Sequence, residues 1–232
     1  MGRTRIYPLK IIIAESALEL VPQPLWNDPI ILRSAKKRRK KPSEILLDVS
    51  IHYPAMKNLP DRFKRGRPDI IHVTLLNLLE SPLNRENLLR VYIHTYNDLV
   101  IFVRPDIRIP KNYNRFVGLM EQLFIEGKVP PDSETPLMYL KNLKLRDLIR
   151  NLDIDNVVLL DEKGKRVKVK ELAEKIAKEK TTIVIGGFQE GEFTEETYSL
   201  ANEIVSIYDK PLTTWIVASR VVEAYEEVLG II

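Results

Sequence analysis

A chain of 232 residues with 44% hydrophobic content is long enough to bury one sizeable core, as one large domain or one domain with an elaboration. It contains no cysteine, which excludes disulfides, thiolate metal sites and a cysteine nucleophile. Its formal charge of +4 is unevenly placed: residues 1–150 carry 26 Lys/Arg against 16 Asp/Glu, and residues 151–232 carry 10 against 16.

Lys10 to Ala14 reads as a short buried strand, followed by a loop or short helix around Pro22 and Pro24. Residues 33–41 (RSAKKRRKK) hold seven cations and no acid. That is either a solvated helix end or flexible loop, or an arm that contacts phosphates. The apolar run Ile45 to Val49 precedes a short helical or turn segment to Leu59. A second basic cluster, DRFKRGRPD from Asp61 to Asp69, leads into Ile70 to Leu79, whose β-branched start reads as a strand. Arg67 and Asp69 then sit at a loop-to-strand junction, where alone they would form a local ion pair. Residues 89–95 and 99–104 read as a β-hairpin around Tyr96-Asn97-Asp98.

Residues 104–116 (RPDIRIPKNYNRF) mix Arg104, Arg108, Lys111 and Arg115 with Tyr113 and Phe116. Guanidinium forks beside aromatic rings suit single-stranded RNA; the alternative is a solvated loop whose Phe116 enters the core. Phe116, Leu119, Met120, Leu123 and Phe124 mark a core-facing helix, and residues 126–136 a linker. A helix is expected around Lys144 to Asn151. After it the pattern becomes βαβ: strands at 157–160, 181–185 and 204–207, with helices near 169–177, 195–202 and 214–229. Such alternation implies a mostly parallel sheet with helices on its faces.

Strand 181–185 runs into Gly186-Gly187, and strand 204–207 runs through Asp209-Lys210-Pro211 into Leu212-Thr213-Thr214. The glycines would allow positive φ and leave no Cβ between backbone and ligand. Ligands of open α/β sheets lie outside the carboxyl ends of the strands, so these two ends are expected to wall one cleft. There is no GxxxxGK[ST], and GGFQEG lacks the spacing of GxGxxG. His52, His72 and His94 read as core or surface histidines, and Asp153, Asp155, Asp161 and Glu162 as solvated turn carboxylates. No metal site is expected. The basic first part and acidic last part point to a polyanion docking on one side, nucleic acid before a membrane surface. With no bilayer-length apolar run and no signal-peptide pattern, the expectation is a soluble, cytoplasmic protein that engages no membrane.

RPDIIHVTLLNLLESPLN, the hairpin, PDIRIPKNYNRFVGLMEQL, IGGFQEG and VSIYDKPLT occur in the order seen in one family. Over about residues 10–230 the chain resembles the ribosome-biogenesis pseudouridine N1-methyltransferases of small-subunit rRNA, in the SPOUT class. The resemblance implies an α/β knot with a C-terminal trefoil and a family-specific extension containing the β-hairpin. It implies S-adenosylmethionine as cofactor, S-adenosylhomocysteine as product, small-subunit rRNA as partner, and a homodimer formed through the C-terminal helix region. The whole chain would be one such domain, with basic RNA-facing elaborations at about 33–67 and 85–116 and the cofactor-binding knot at about 155–232.

Carried over by position, Gly186, Gly187, Phe188 and Gly191 match the family's cofactor loop, and Pro211, Leu212 and Thr213 its Pro-Leu-Ser turn. Ile185 and Ile207, at the two strand ends, complete the expected cofactor set. Arg67 and Asp69 match the family's Arg-Pro-Asp. Arg108 and Arg115 match arginines implicated in RNA binding, and Lys111 stands where a third arginine is common. Arg67 is the expected stabiliser of a developing anion and a contact to RNA, with Asp69 orienting it or acting as base. The alternative is an rRNA-binding assembly factor without catalysis.

Overall fold

Leu9–Ser16 (β1) is buried along nearly its whole length because it lies inside a sheet covered on both faces. Its side chains alternate with the period of a strand: Leu9, Ile11 and Ile13 enter one core, Ile12 and Ala14 another. The computed structural model describes residues 6–232. After β1 come α1 (Pro29–Arg38), α2 (Val49–His52), α3 (Pro68–Glu80), α4 (Pro82–Arg85), β2 (Leu89–Thr95), β3 (Leu99–Val103) and α5 (Tyr113–Glu126). The chain continues through β4 (Lys128–Val129), β5 (Met138–Asn142), α6 (Leu145–Asn151), β6 (Asn156–Arg166) and α7 (Val169–Ile176). It ends with β7 (Thr181–Gly186), α8 (Glu195–Ser199), β8 (Glu203–Ser206) and α9 (Thr214–Leu229).

The strands form one sheet in the order β4-β5-β3-β2-β1-β7-β6-β8. Neighbours from β2 to β8 run parallel, whereas β3, β5 and β4 continue the other edge antiparallel. The fold is α/β, mostly parallel and SPOUT-like. Apolar residues of α3, α5, α7 and α9 cover one face. Leu145 and Leu148 of α6, with Phe193 and the α8 region, cover the other. A third cluster joins α1 to Ile45, Leu47, Met56 and Leu59 as an appendage beside the sheet.

Most expected elements are present, the hairpin of β2 and β3 and the helix of α9 among them. The segment Ile70 to Leu79 is a correction: it is helical, within α3. Ile70, Ile71, Thr74, Leu75 and Leu78 are buried, a helical stripe, and Thr74 Oγ1 returns a 2.7 Å bond to the Ile70 carbonyl oxygen. Pro68 at the first turn and Asp69 beside it are helix-start signals that outweigh the β-branched composition. The expected linker at 126–136 contains β4, and β5, which the sequence reading missed, pairs with β3. No helix among the described residues is long and apolar enough to cross a membrane.

Candidate functional site

The carboxyl ends of β7 and β8 and the middle of β6 open onto a cleft of about 380 Å³. Ile185, Gly186, Phe188 and Gly191 line one wall, and Ile207, Pro211 and Leu212 the other. The first turn of α9 closes the floor with Thr214 and Val217. Thr214 Oγ1 donates to the Gly186 carbonyl oxygen at 2.7 Å, so the helix start and the strand end are fastened together. Gly191 has φ +107°, a conformation that side-chain-bearing residues rarely adopt.

Gly187 and Thr213, also expected to hold the cofactor, are not among the residues lining this cleft. Gly187 lacks positive φ, and a Cβ on it would fall 2.3 Å from Ser16 Oγ and 2.8 Å from Ser16 Cα. Its missing side chain makes room for β1. Its N–H donates to Ala14 O and its carbonyl accepts from Ala17 N, both at 2.8 Å. Gly186 also lacks positive φ; a Cβ there would crowd the Phe188 and Phe193 rings at 3.1–3.3 Å. Thr213 is instead the N-cap residue of α9.

A third wall was missed by sequence reading. Asp161, Glu162 and Lys163, inside β6 where its pairing with β8 is interrupted between Leu160 and Lys165, line the cleft. The sequence reading ended this strand at residue 160, and the strand-end rule that located the other walls applies equally there. Asp161 is not merely a solvated carboxylate, because it accepts from Tyr198 Oη at 2.8 Å and from Lys163 N at 2.8 Å. Burial, followed by that bond to Asp161, pushes the Tyr198 hydroxyl above its usual pKa, so it remains a donor. Glu190 and Glu192 add negative charge from the loop after β7. Apolar walls with an acidic rim fit a nucleoside-sized ligand bearing a cation.

Arg67 reaches the loop that lines this cleft from the basic part of the chain. Its guanidinium forks onto Asp69, with Nε to Oδ1 at 2.7 Å and Nη2 to Oδ2 at 2.6 Å, and its Nη1 donates to Gln189 Oε1 in the cleft loop. Asp69, then burial acting the other way, set its pKa, and the net effect raises it above the usual value. The pair thus sits at a helix N-terminus, joined to a loop 122 residues away. Nearby, Tyr113 donates to Asp48, and burial with that bond pushes the Tyr113 hydroxyl up.

Much of the two basic clusters is structural. Lys64 pairs with buried Glu15, donates to the Glu192 carbonyl oxygen at 2.7 Å and lies 4.4 Å from the Phe188 ring centroid. Arg65 forks onto Glu19 with both bonds at 2.6 Å. Arg38 and Lys40 hold Glu121, whose side chain is fully buried, so only part of the 33–41 run is available to phosphates. Arg33, Lys36, Lys37, Arg39 and Lys41 stay exposed.

The RNA candidates do not form one cluster. Arg108 and Lys111 line a groove of about 950 Å³ beside Leu75, Leu76 and Leu79 of α3, and Lys111 pairs with Glu80 at 3.3 Å. That groove follows the second half of α3, roughly 12–18 Å of helix from Arg67. Arg115 is exposed on the first turn of α5, outside the groove lining. Tyr113 is half-buried and Phe116 fully buried against His72 at 4.5 Å between ring centroids, so neither ring is presented to a base. The histidines are buried: His52 bonds Ser34, His94 bonds Asp98, and burial lowers the pKa of both.

A family model described as EMG1/NEP1 methyltransferase matches residues 11–226. Among curated relatives, the ribosomal RNA small subunit methyltransferase Nep1 of Staphylothermus marinus is 53% identical, over 97% of this chain and 98% of its own length. That of Thermococcus kodakarensis is 42% identical, over 96% and 100%. The crystal structure of Archaeoglobus fulgidus Nep1 bound to S-adenosylhomocysteine superposes with a TM-score of 0.85 at 41% identity, covering 96% of this chain and 99% of that one.

Proposed function

This chain belongs to the EMG1/NEP1 methyltransferase family, and from that premise we propose that it is an S-adenosylmethionine-dependent methyltransferase of small-subunit rRNA, acting in ribosome biogenesis on N1 of a pseudouridine. The observation that carries this reading is the bond from Arg67 to Gln189, which sets a guanidinium of the basic part against the loop of the acidic cleft. The solved relative binds S-adenosylhomocysteine, and the cleft has the volume and charge for that class of ligand.

S-adenosylmethionine supplies an electrophilic methyl group on a sulfonium. Ile185, Gly186, Phe188, Gly191, Ile207, Pro211 and Leu212 are the residues that would hold it, and the carboxylates of Asp161 and Glu190 suit its positive charge. The remaining task is alignment of a ring nitrogen, which releases its proton to solvent as the N–CH3 bond forms and the sulfonium would become the thioether of S-adenosylhomocysteine. As charge moves onto the ring carbonyls, Arg67 offers a fixed donor to the forming anion. Both Asp69 oxygens already accept from Arg67, so Asp69 serves to orient it. Arg108, Lys111 and Arg115 contact the RNA backbone.

In this reading the enzyme works as a homodimer in the cytoplasm, and residues 155–232 thread as the trefoil knot of the SPOUT class. Ile216 of α9 and Tyr208 of the preceding turn are exposed and Trp215 is half-buried, which suits a partner surface. A monomer in sedimentation at micromolar concentration would remove that part. The main test incubates the protein with methyl-labelled S-adenosylmethionine and small-subunit rRNA transcripts carrying either pseudouridine or uridine. Mass spectrometry of the nucleosides is expected to find N1-methylpseudouridine only in the former. Tight RNA binding without methyl transfer would favour a non-catalytic assembly factor instead.

A further inference from the structure

Large aromatic side chains stand at the surface of the basic part, within the stretch of about 33–67 expected to face RNA but not singled out there. Tyr53 is 56% exposed and Phe63 54% exposed. The Arg62 guanidinium carbon lies 4.6 Å from the Phe63 ring centroid and 6.0 Å from that of Tyr53. Two exposed rings within about 6 Å of one guanidinium offer a contact surface.

The backbone beneath them is held on both sides. Lys64 and Arg65 follow Phe63 directly and are pinned to buried Glu15 and Glu19. Tyr53 follows His52, whose ring bonds Ser34 of α1 at 3.0 Å. The rings are therefore presented by fixed chain, at little ordering cost to a ligand. Residues 29–65 carry eleven Lys/Arg against three Asp/Glu, and Lys57 and Arg62 remain outside ion pairs among the described residues. Phe63 also borders a cavity of about 540 Å³ whose lining includes Gly191 and Glu192, from the loop that lines the cofactor cleft. The patch thus adjoins the site rather than lying across the molecule from it.

We propose that Tyr53, Arg62 and Phe63 form a stacking platform for an unpaired base of the substrate RNA, near the nucleotide that enters the cleft. Aromatic faces accept any base, a guanidinium can lie over a base or meet a phosphate, and the surrounding charge selects a polyanion. The platform rests on the RNA methyltransferase reading above and adds a recognition element outside the reacting centre.

The test uses a small-subunit rRNA stem–loop that the protein itself methylates, and compares the parent with Tyr53→Ala, Phe63→Ala and Phe63→Trp. Each alanine variant is expected to bind the loop roughly 5- to 150-fold more weakly, the range for loss of one base–aromatic stack of about 1–3 kcal/mol, with an unchanged salt slope. Phe63→Trp retains affinity, and S-adenosylhomocysteine binding is the same in all four proteins. Abasic nucleotides walked through the loop should include one that weakens the parent but adds nothing to the alanine variants. Alanine variants with parental melting temperature that bind and methylate the loop like the parent would overturn the platform. If the parent neither binds nor methylates any transcript, the platform falls together with the enzymatic reading, a result distinct from the first.

Discussion

The hydroxyl of Thr214 donates to the carbonyl oxygen of Gly186 at 2.7 Å, and this bond joins the first turn of the last helix to the end of strand β7 across the cleft floor. Thr214 is buried, so its removal leaves a carbonyl short of a partner at the site where two walls meet. Thr214→Val is expected to lower stability by about 1–3 kcal/mol and weaken S-adenosylhomocysteine binding. Thr214→Ser should restore both. Calorimetric titration of the two variants checks this, and parental affinity in Thr214→Val would show that the walls hold themselves apart without it.

Arg67 touches both Asp69 and Gln189, so its substitution separates alignment from charge. Arg67→Lys keeps the charge but loses the fork. Single-turnover methyl transfer is expected to fall by roughly 10²- to 10³-fold, the scale for losing a preorganised donor, with S-adenosylhomocysteine affinity little changed. Gln189→Ala should cause a smaller loss. A Lys variant as fast as the parent would rule out Arg67 as the anion stabiliser.

Gly187 makes space for strand β1, and its substitution acts on folding rather than by entering the ligand space. A Cβ at 2.8 Å from Ser16 Cα meets backbone that cannot move cheaply. Gly187→Ala is expected to cost about 1–3 kcal/mol through overpacking. Urea unfolding measures it. A variant as stable as the parent that has nonetheless lost the cofactor would return Gly187 to the cleft wall.

Glu15 supplies a pH prediction. Burial raises its carboxyl, but the bonds from Lys64, Thr194 and Thr197 outweigh that and hold it below the usual carboxylate range. A depressed folded value means stability present above the unfolded pKa and lost as pH falls through the folded one. Below about pH 4.3 the parent should therefore lose stability faster than Glu15→Gln. Thermal melts from pH 6 to pH 3 test it, and parallel curves would reject the assignment.

Arg108, Arg115 and Arg38 separate RNA contacts from scaffold. Arg108→Ala and Arg115→Ala should each reduce the log-log salt slope of RNA binding by about 0.7, without altering cofactor affinity. Arg38→Ala should instead destabilise the fold, by less than the roughly 3–5 kcal/mol of a fully broken buried pair because Lys40 still holds Glu121. Equal stability in Arg38→Ala would free the whole 33–41 run for phosphate contact.

Local pattern alone determined much of this molecule. The βαβ alternation after residue 150 placed β6, β7, β8 and α9, because period-2 and period-3.6 burial are written in consecutive residues. The strand-end rule placed two walls of the cleft, Gly186 and Pro211 among them. Order of motifs identified the family, which composition could not.

Contacts between distant residues were decided only by the tertiary structure. Ile70 to Leu79 is β-rich by composition but helical, since its apolar residues fall on one side of a helix packed against the sheet. Gly187 belongs to Ser16, and Lys64 and Arg65 to Glu15 and Glu19, pairings that span tens to more than a hundred residues. Charge counting left the run at 33–41 as either solvated charge or a phosphate-contacting arm, and marked 61–69 only as a second basic cluster. Folding binds Arg38, Lys40, Lys64 and Arg65 to buried carboxylates, because an unpaired charge inside the protein is too costly to leave. The same packing left Tyr53 and Phe63 outside: exposure of a ring depends on what the rest of the chain stacks against it, and single-residue chemistry carries no record of that.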